Sequence, residues 1–123
     1  AGTRALSRSV RSQFTATLKD HGATGRDYPV CTNAIYRGLF DKDAKQLRSA
    51  KGLKKSAPLR DKMTTKELVF VMASEALSSE RIEEERCRDG RECLQATTKS
   101  AGFIRQAIDA DRKDRRGQQP NLI

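Results

Sequence analysis

Apolar residues recur at helical spacing along the first part of the chain. Between Arg4 and Asp20 they come every four residues, which predicts one face of a helix: Leu6, Val10, Phe14 and Leu18. Gly22 is a natural end for this helix, and Gly25 with the pair Tyr28-Pro29 is expected to continue the break.

Two short helices are predicted next. Thr32 or Asn33 caps the first, which turns four side chains inward: Ile35, Tyr36, Leu39 and Phe40. Asp41 or Asp43 caps the second, which ends at Gly52 and carries three small or apolar residues: Ala44, Leu47 and Ala50. Pro58 prevents this region from continuing into the following helix.

A long helix is predicted after Thr64, because Thr64 and Glu67 have the spacing of a capping box. One of its faces is marked by Leu68, Val71, Met72, Ala76 and Ser79. Four neighbours widen that face, so the first half is expected to be buried on most sides: Val69, Phe70, Ala73 and Leu77. The charged stretch 80–88 is expected to project into solvent before Asp89-Gly90 ends the helix.

The last predicted helix runs from about Arg91 to Arg116. It carries a seam at alternating steps of three and four: Leu94, Thr97, Ala101, Ile104 and Ile108. The seam either packs within the chain or pairs with another helix, and two repeats are too few to define a coiled coil. Because no segment has a strand pattern, we expect an all-α single compact domain over 1–123, with four or five helices and a long C-terminal helix.

Within that domain we expect two long helices over 61–116, a fraying polar tail over 117–123, and a shared core. The residues expected to be buried together are Leu68, Val71, Met72, Ile104 and Ile108. The chain has no apolar run long enough for a membrane span.

Charge is distributed unevenly along the 123 residues, whose net charge is +9. Residues 1–60 hold 13 Lys and Arg against 4 acidic residues, whereas residues 61–123 hold 12 of each. A one-sided basic excess is typical of proteins that bind polyanions, above all nucleic acids, although a basic surface also serves solubility. We therefore predict that the basic half, 1–60, faces nucleic acid.

The strongest local excess lies in residues 42–60, which hold seven basic residues and one acid, Asp43. Lys45, Arg48 and Lys51 are three apart and form a stripe on one helical face. The predicted phosphate-binding residues are Lys45, Arg48, Lys51, Lys54, Lys55 and Arg60. Tyr36 and Phe40 are suitable for base stacking, but their spacing favours the core.

Enzymatic chemistry has little support in the sequence. His21 is the one histidine, and nothing in the sequence orients it toward Cys31 as a catalytic pair. Cys31, Cys87 and Cys93 are odd in number and have neither disulfide-framework nor zinc-site spacing. We therefore expect a non-enzymatic, cytoplasmic chain with reduced, buried thiols and with no catalytic residue, metal or cofactor.

A series of short motifs resembles the C-terminal region of the DNA-damage-inducible protein D family. The series is TNAIYRGLF at 32–40, AKGL at 50–53, LRDKM at 59–63, TKEL at 65–68 and EAL at 75–77, then Ile82, Gly90 and PNL at 120–122. The resemblance covers about 30–122, without the family's antirepressor-like N-terminal domain. It implies a bacterial, plasmid or phage protein that acts near DNA, on recombinase filaments on single strands. The acidic stretch 80–85 departs from the family pattern.

Together these observations predict a small regulatory or accessory protein associated with nucleic acid, linked to DNA damage and to plasmid or phage biology. Its contacts would be to the phosphate backbone, with weak sequence preference. The alternative is a helical interaction module that forms a homodimer or binds a protein partner through its C-terminal helix, with no direct contact to nucleic acid.

Overall fold

A computed structural model describes residues 2–117, which form five α-helices, one short 3₁₀ helix and no strand. The helices are α1 (Gly2–Asp20), α2 (Asp27–Phe40), α3 (Ala44–Ala50), α4 (Thr65–Glu84) and α5 (Gly90–Gly117), and the 3₁₀ helix is Leu59–Lys62. The all-α prediction with a long C-terminal helix is confirmed. The predicted tail from 118 onward and the PNL motif lie outside the described residues.

Helix α1 buries a different face from the one predicted. Phe14 and Leu18 are fully buried as expected, but Leu6 is 55% exposed and Val10 only partly buried. Residues four apart drift by about 40° per step around a helix, so Leu6 lies about 120° away from Leu18. Ser7 and Thr17 complete the buried face instead.

Helix α2 begins earlier than predicted, at Asp27, and not at a cap formed by Thr32 or Asn33. Tyr28-Pro29 therefore lies in the first turn and does not break the chain. Proline is compatible with that turn because the amides there have no partner within the helix.

Two predicted helix ends are confirmed. Gly22 and Gly52 have φ angles of 91° and 69°, the left-handed conformation that glycine adopts without strain. Helix α3 is capped by Asp43, whose side chain accepts from the Gln46 amide while the Gln46 side chain accepts from the Asp43 amide. Of the two aspartates proposed for this cap, the structure selects Asp43, and Asp41 ends α2 at φ 61°.

Helix α4 begins with the predicted capping box between Thr64 and Glu67. Its buried face is more polar than predicted and consists of Leu68, Val71, Ser74, Glu75, Ser78, Ser79 and Ile82. Two of these serines are accommodated because their hydroxyls donate within the helix, Ser74 to the Phe70 carbonyl and Ser78 to that of Ser74.

The prediction that the first half of α4 is buried on most sides is wrong. Ala76 is exposed, and Val69 and Leu77 are 46% and 39% exposed. The reason is that α1 and α5 are the main neighbours of α4 and leave its outer side uncovered. The charged end also differs, because Ile82 and Cys87 are buried and α4 ends at Glu84. There the Cys87 amide donates to the Ile82 carbonyl and Arg86 has a φ of 52°.

Helix α5 packs against both α2 and α4, so its seam contributes to the core of this chain. Thr97 and Ala101 are buried, whereas Leu94, Ile104 and Ile108 are only partly buried. At Gly38 of α2 an added Cβ would lie 3.0 Å from the Ala101 Cβ, so the two helices approach closely there. Residues 109–117 are all exposed and extend α5 beyond the core by about 13 Å.

The predicted core set is partly confirmed. Leu68 and Val71 are buried, while Met72, Ile104 and Ile108 pack against the core from its margin. Within residues 2–117 no helix is both long and apolar enough to cross a membrane.

We expect Leu68→Ala to lower the free energy of unfolding by about 2–5 kcal/mol, because it leaves a cavity at a residue that is 1% exposed. Leu77→Ala on the uncovered side of the same helix serves as the matched control and should lower it by less than about 1 kcal/mol. Urea unfolding of both variants measures the difference. Equal losses would contradict this assignment of the core.

Candidate nucleic-acid interface

Three of the six predicted phosphate-binding residues are exposed side chains: Lys45 on α3, and Lys54 and Lys55 in the loop that follows. Among residues 2–117, no ion pair engages any of the three. Their ammonium groups are therefore available to an anion from solution.

Arg48 and Lys51 have structural contacts in addition to their charge. The Arg48 Nε donates to the Ala57 carbonyl at 2.9 Å and holds the loop against α3. The Lys51 Nζ lies 2.8 Å from Glu67 Oε1, and Glu67 also caps α4. This contact and the cap together hold the pKa of the Glu67 carboxyl below its usual value, against the effect of burial. Lys51 is thus committed to the start of α4, while Arg48 remains partly exposed.

Arg60 lies at the centre of a buried ionic cluster. Its two terminal nitrogens donate to the Glu75 carboxylate at 3.0 and 3.1 Å, and one of them also donates to the Ser7 hydroxyl at 2.6 Å. Arg11 approaches the same carboxylate at 3.2 Å. The Glu75 side chain is fully buried, so these two guanidinium groups supply the charge compensation that water cannot.

A cleft of about 700 Å³ opens beside this cluster, between α1, α2, α3 and the 3₁₀ helix. Four cationic side chains line it, namely Arg11, Lys45, Arg48 and Arg60, and Asp61 is the one acidic side chain in its wall. The structure thus brings Lys45, Arg48 and Arg60 of the predicted set together. Lys45 and Arg48 also line an adjoining cleft that contains Lys55, so the basic surface continues along the loop.

Two tyrosines contribute to the same cleft. Tyr36 is buried, as its helical spacing predicted, and burial raises the pKa of its hydroxyl although Arg60 and Arg11 lower it. Phe40 also packs against the core. Tyr28 is partly exposed in the cleft wall, and neither it nor Arg11 was among the residues predicted for the site. Arg11 belongs to α1 and Tyr28 to α2, and these helices meet the 42–60 segment only in the folded chain.

The cysteines and the histidine form a separate group at the other end of α1. All three cysteines are buried free thiols, and burial raises the pKa of Cys31 to about 11 and that of Cys93 to about 12. The His21 ring is oriented by the Cys87 carbonyl, which lies 2.9 Å from Nδ1. Within residues 2–117 no group of three His, Cys, Asp or Glu side chains is placed to hold a metal ion.

The fold and this surface define a small all-helical domain with a basic cleft on one side. A comparison with protein families matches residues 4–121 to the DinD C-terminal domain, and the chain therefore belongs to that family. The match confirms the predicted resemblance and extends it toward the N-terminus to include α1. It relates the chain to the DNA-damage-inducible protein D. No curated protein matches the sequence.

The Arg60–Glu75 contact should contribute strongly to stability. We expect Arg60→Ala to lower the free energy of unfolding by about 2–3 kcal/mol, because it removes one of two guanidinium groups that compensate a buried carboxylate. A double-mutant cycle with Glu75→Gln should give a coupling energy of about 1–3 kcal/mol. Arg88→Ala breaks the exposed pair with Glu92 and is the control, with an expected loss below about 1 kcal/mol.

Stability should decrease with rising pH between 9 and 11. In that range the unfolded chain releases the Cys31 proton, whereas the folded chain retains it because the pKa is raised from 9.0 to about 11. Below pH 9 both states carry the proton and the effect is absent. Urea unfolding at pH 8, 9 and 10 should show a shallower decrease for Cys31→Ala, and an unchanged slope would contradict the effect of burial.

Proposed function

We propose that this domain is a non-enzymatic regulatory module that binds nucleic acid through phosphate contacts on its basic face. The observation that carries the proposal is the cleft lined by Arg11, Lys45, Arg48 and Arg60, which continues to Lys55 of the following loop beside the exposed Lys54. Membership in the DinD C-terminal domain family supports a role connected with DNA damage.

The electrostatics of the cleft support an anionic ligand. Four cationic groups meet two carboxylates, Asp61 in the wall and Glu75 beneath it, so the cleft keeps an excess of positive charge. Arg60 and Arg11 are held in place by Glu75, which reduces the conformational entropy that they lose when a ligand binds. Lys45, Lys54 and Lys55 supply mobile charges around them.

These side chains suit the phosphate backbone better than base edges. Phosphate contacts give affinity and register without reading sequence, so binding should be sequence-tolerant and steeply dependent on salt. Tyr28 in the cleft wall offers a ring on which a base can stack. Three buried free thiols suit a reducing compartment, and we place the protein in the cytoplasm of a bacterial cell, in plasmid or phage biology.

Reversing the two loop charges tests the proposal. Lys54→Glu/Lys55→Glu should weaken oligonucleotide binding by at least about tenfold for every sequence at low salt, because two phosphate contacts become repulsive. The slope of log affinity against log salt concentration should become shallower by about 2. The measurement is fluorescence anisotropy with single- and double-stranded oligonucleotides at several salt concentrations.

Arg112→Glu/Arg115→Glu is the matched control, because it reverses the same number of charges on the exposed end of α5. There Arg115 is already paired with Asp111 at 2.9 Å, so the effect on affinity should be small. Circular dichroism checks that both variants fold. Identical salt slopes for the wild type and the loop variant, or no binding by the wild type at low salt, would overturn the proposal.

A further inference from the structure

The outer side of α4 carries a regular line of residues that the described part of the chain, residues 2–117, leaves exposed or only partly covered. Lys66, Phe70, Ala73, Leu77, Glu80 and Glu84 follow one another at alternating intervals of four and three. All six are exposed or only partly buried. Residues at alternating intervals of four and three lie along one face of a helix, and paired helices contact each other through residues with this spacing. The line therefore has the form of a helix-pairing surface.

A groove lies between this line of residues and α5. It has a volume of about 490 Å³ and an apolar lining formed by Phe70 and Ala73 of α4 together with Ile104, Ala107 and Ile108 of α5. Leu77 is 39% exposed and Phe103 is 48% exposed. From Lys66 to Leu77 the line spans about 16 Å, enough for three turns of a partner helix.

The charges along the line have a definite order. Lys66 lies in the first turn of α4 and Glu84 is its last residue, so each opposes the helix dipole at its own end. Within residues 2–117, no ion pair engages Lys66, Glu80 or Glu84. Both ends of the line thus lack the opposite charge that would compensate them.

We propose that the groove is occupied by α4 of a second copy of this chain, running antiparallel about a two-fold axis. A two-fold axis midway along the line brings Lys66 against Glu84, Phe70 against Glu80, and Ala73 against Leu77 of the second copy. The symmetry makes each contact twice. Arg112 also lines the groove at the Lys66 end, where Arg115 is paired with Asp111.

The order of charges along the line also favours a second copy of this chain over a uniformly acidic helix. An acidic helix would be attracted at the Lys66 end but repelled by Glu80 and Glu84, whereas α4 itself carries the complementary order when it is reversed. The excess positive charge of the chain does not oppose pairing here, because residues 61–123 hold 12 basic and 12 acidic residues.

Sedimentation equilibrium of the wild-type chain and of charge-reversal variants tests the proposal. The wild type should dimerise in the micromolar range at low salt, and Lys66→Glu or Glu84→Lys should each weaken the dimer by at least about tenfold. The combination Lys66→Glu/Glu84→Lys should restore the affinity to within about threefold, because each contact regains opposite charges. Leu77→Ser should also weaken the dimer, because it removes an apolar contact and leaves every charge unchanged.

The controls separate dimer loss from unfolding. Lys66→Glu and Glu84→Lys should each stabilise the monomer, because both place a favourable charge at an end of α4. Lys19→Glu, at an exposed residue of α1, changes the net charge by the same amount as Lys66→Glu and should leave the dimer intact. A wild type that stays monomeric at about 200 µM, or a charge-swapped double variant that fails to dimerise, would overturn the proposal and leave the groove to another partner.

Discussion

The buried carboxylate of Glu75 is the constraint on which the arrangement of this domain depends. A fully buried charge requires compensation, and here it comes from Arg11 on α1 and Arg60 on the 3₁₀ helix. The 3₁₀ helix and α4 are thereby held to the distant α1, and the connection between α3 and α4 has a defined position although it contains no long helix. The same contacts fix two of the four cations of the cleft. Folding and the proposed ligand site thus share one set of side chains.

Local signals predicted the helix boundaries well wherever a single side chain determines them. Gly22, Asp43 and the Thr64–Glu67 box all act within one helical turn, and each has the expected role. Errors arose where a residue type was compatible with two structures. Pro29 is tolerated in a first turn as well as in a break, so α2 was predicted to begin too late.

The faces of the helices were harder to predict, because burial depends on neighbours that a periodicity does not reveal. Leu6 and Leu77 continue an apolar pattern and are nevertheless exposed, whereas Glu75 interrupts one and is fully buried. The same limit applies to the basic residues. Composition located the basic segment 42–60, but only the folded chain distinguishes Lys51, paired with Glu67, from Lys54, which the described residues leave unpaired.

The close crossing of α2 and α5 at Gly38 gives a structural reason for one motif of this chain. Gly38 belongs to the TNAIYRGLF motif, and a Cβ added there would lie 3.0 Å from the Ala101 Cβ, which is closer than ordinary van der Waals contact. Ile35 and Leu39 in the same motif are core residues. In this chain the motif therefore encodes a helix crossing. The lysines of the 42–60 segment lie outside that crossing, so the crossing and the exposed lysines of the basic face depend on different residues.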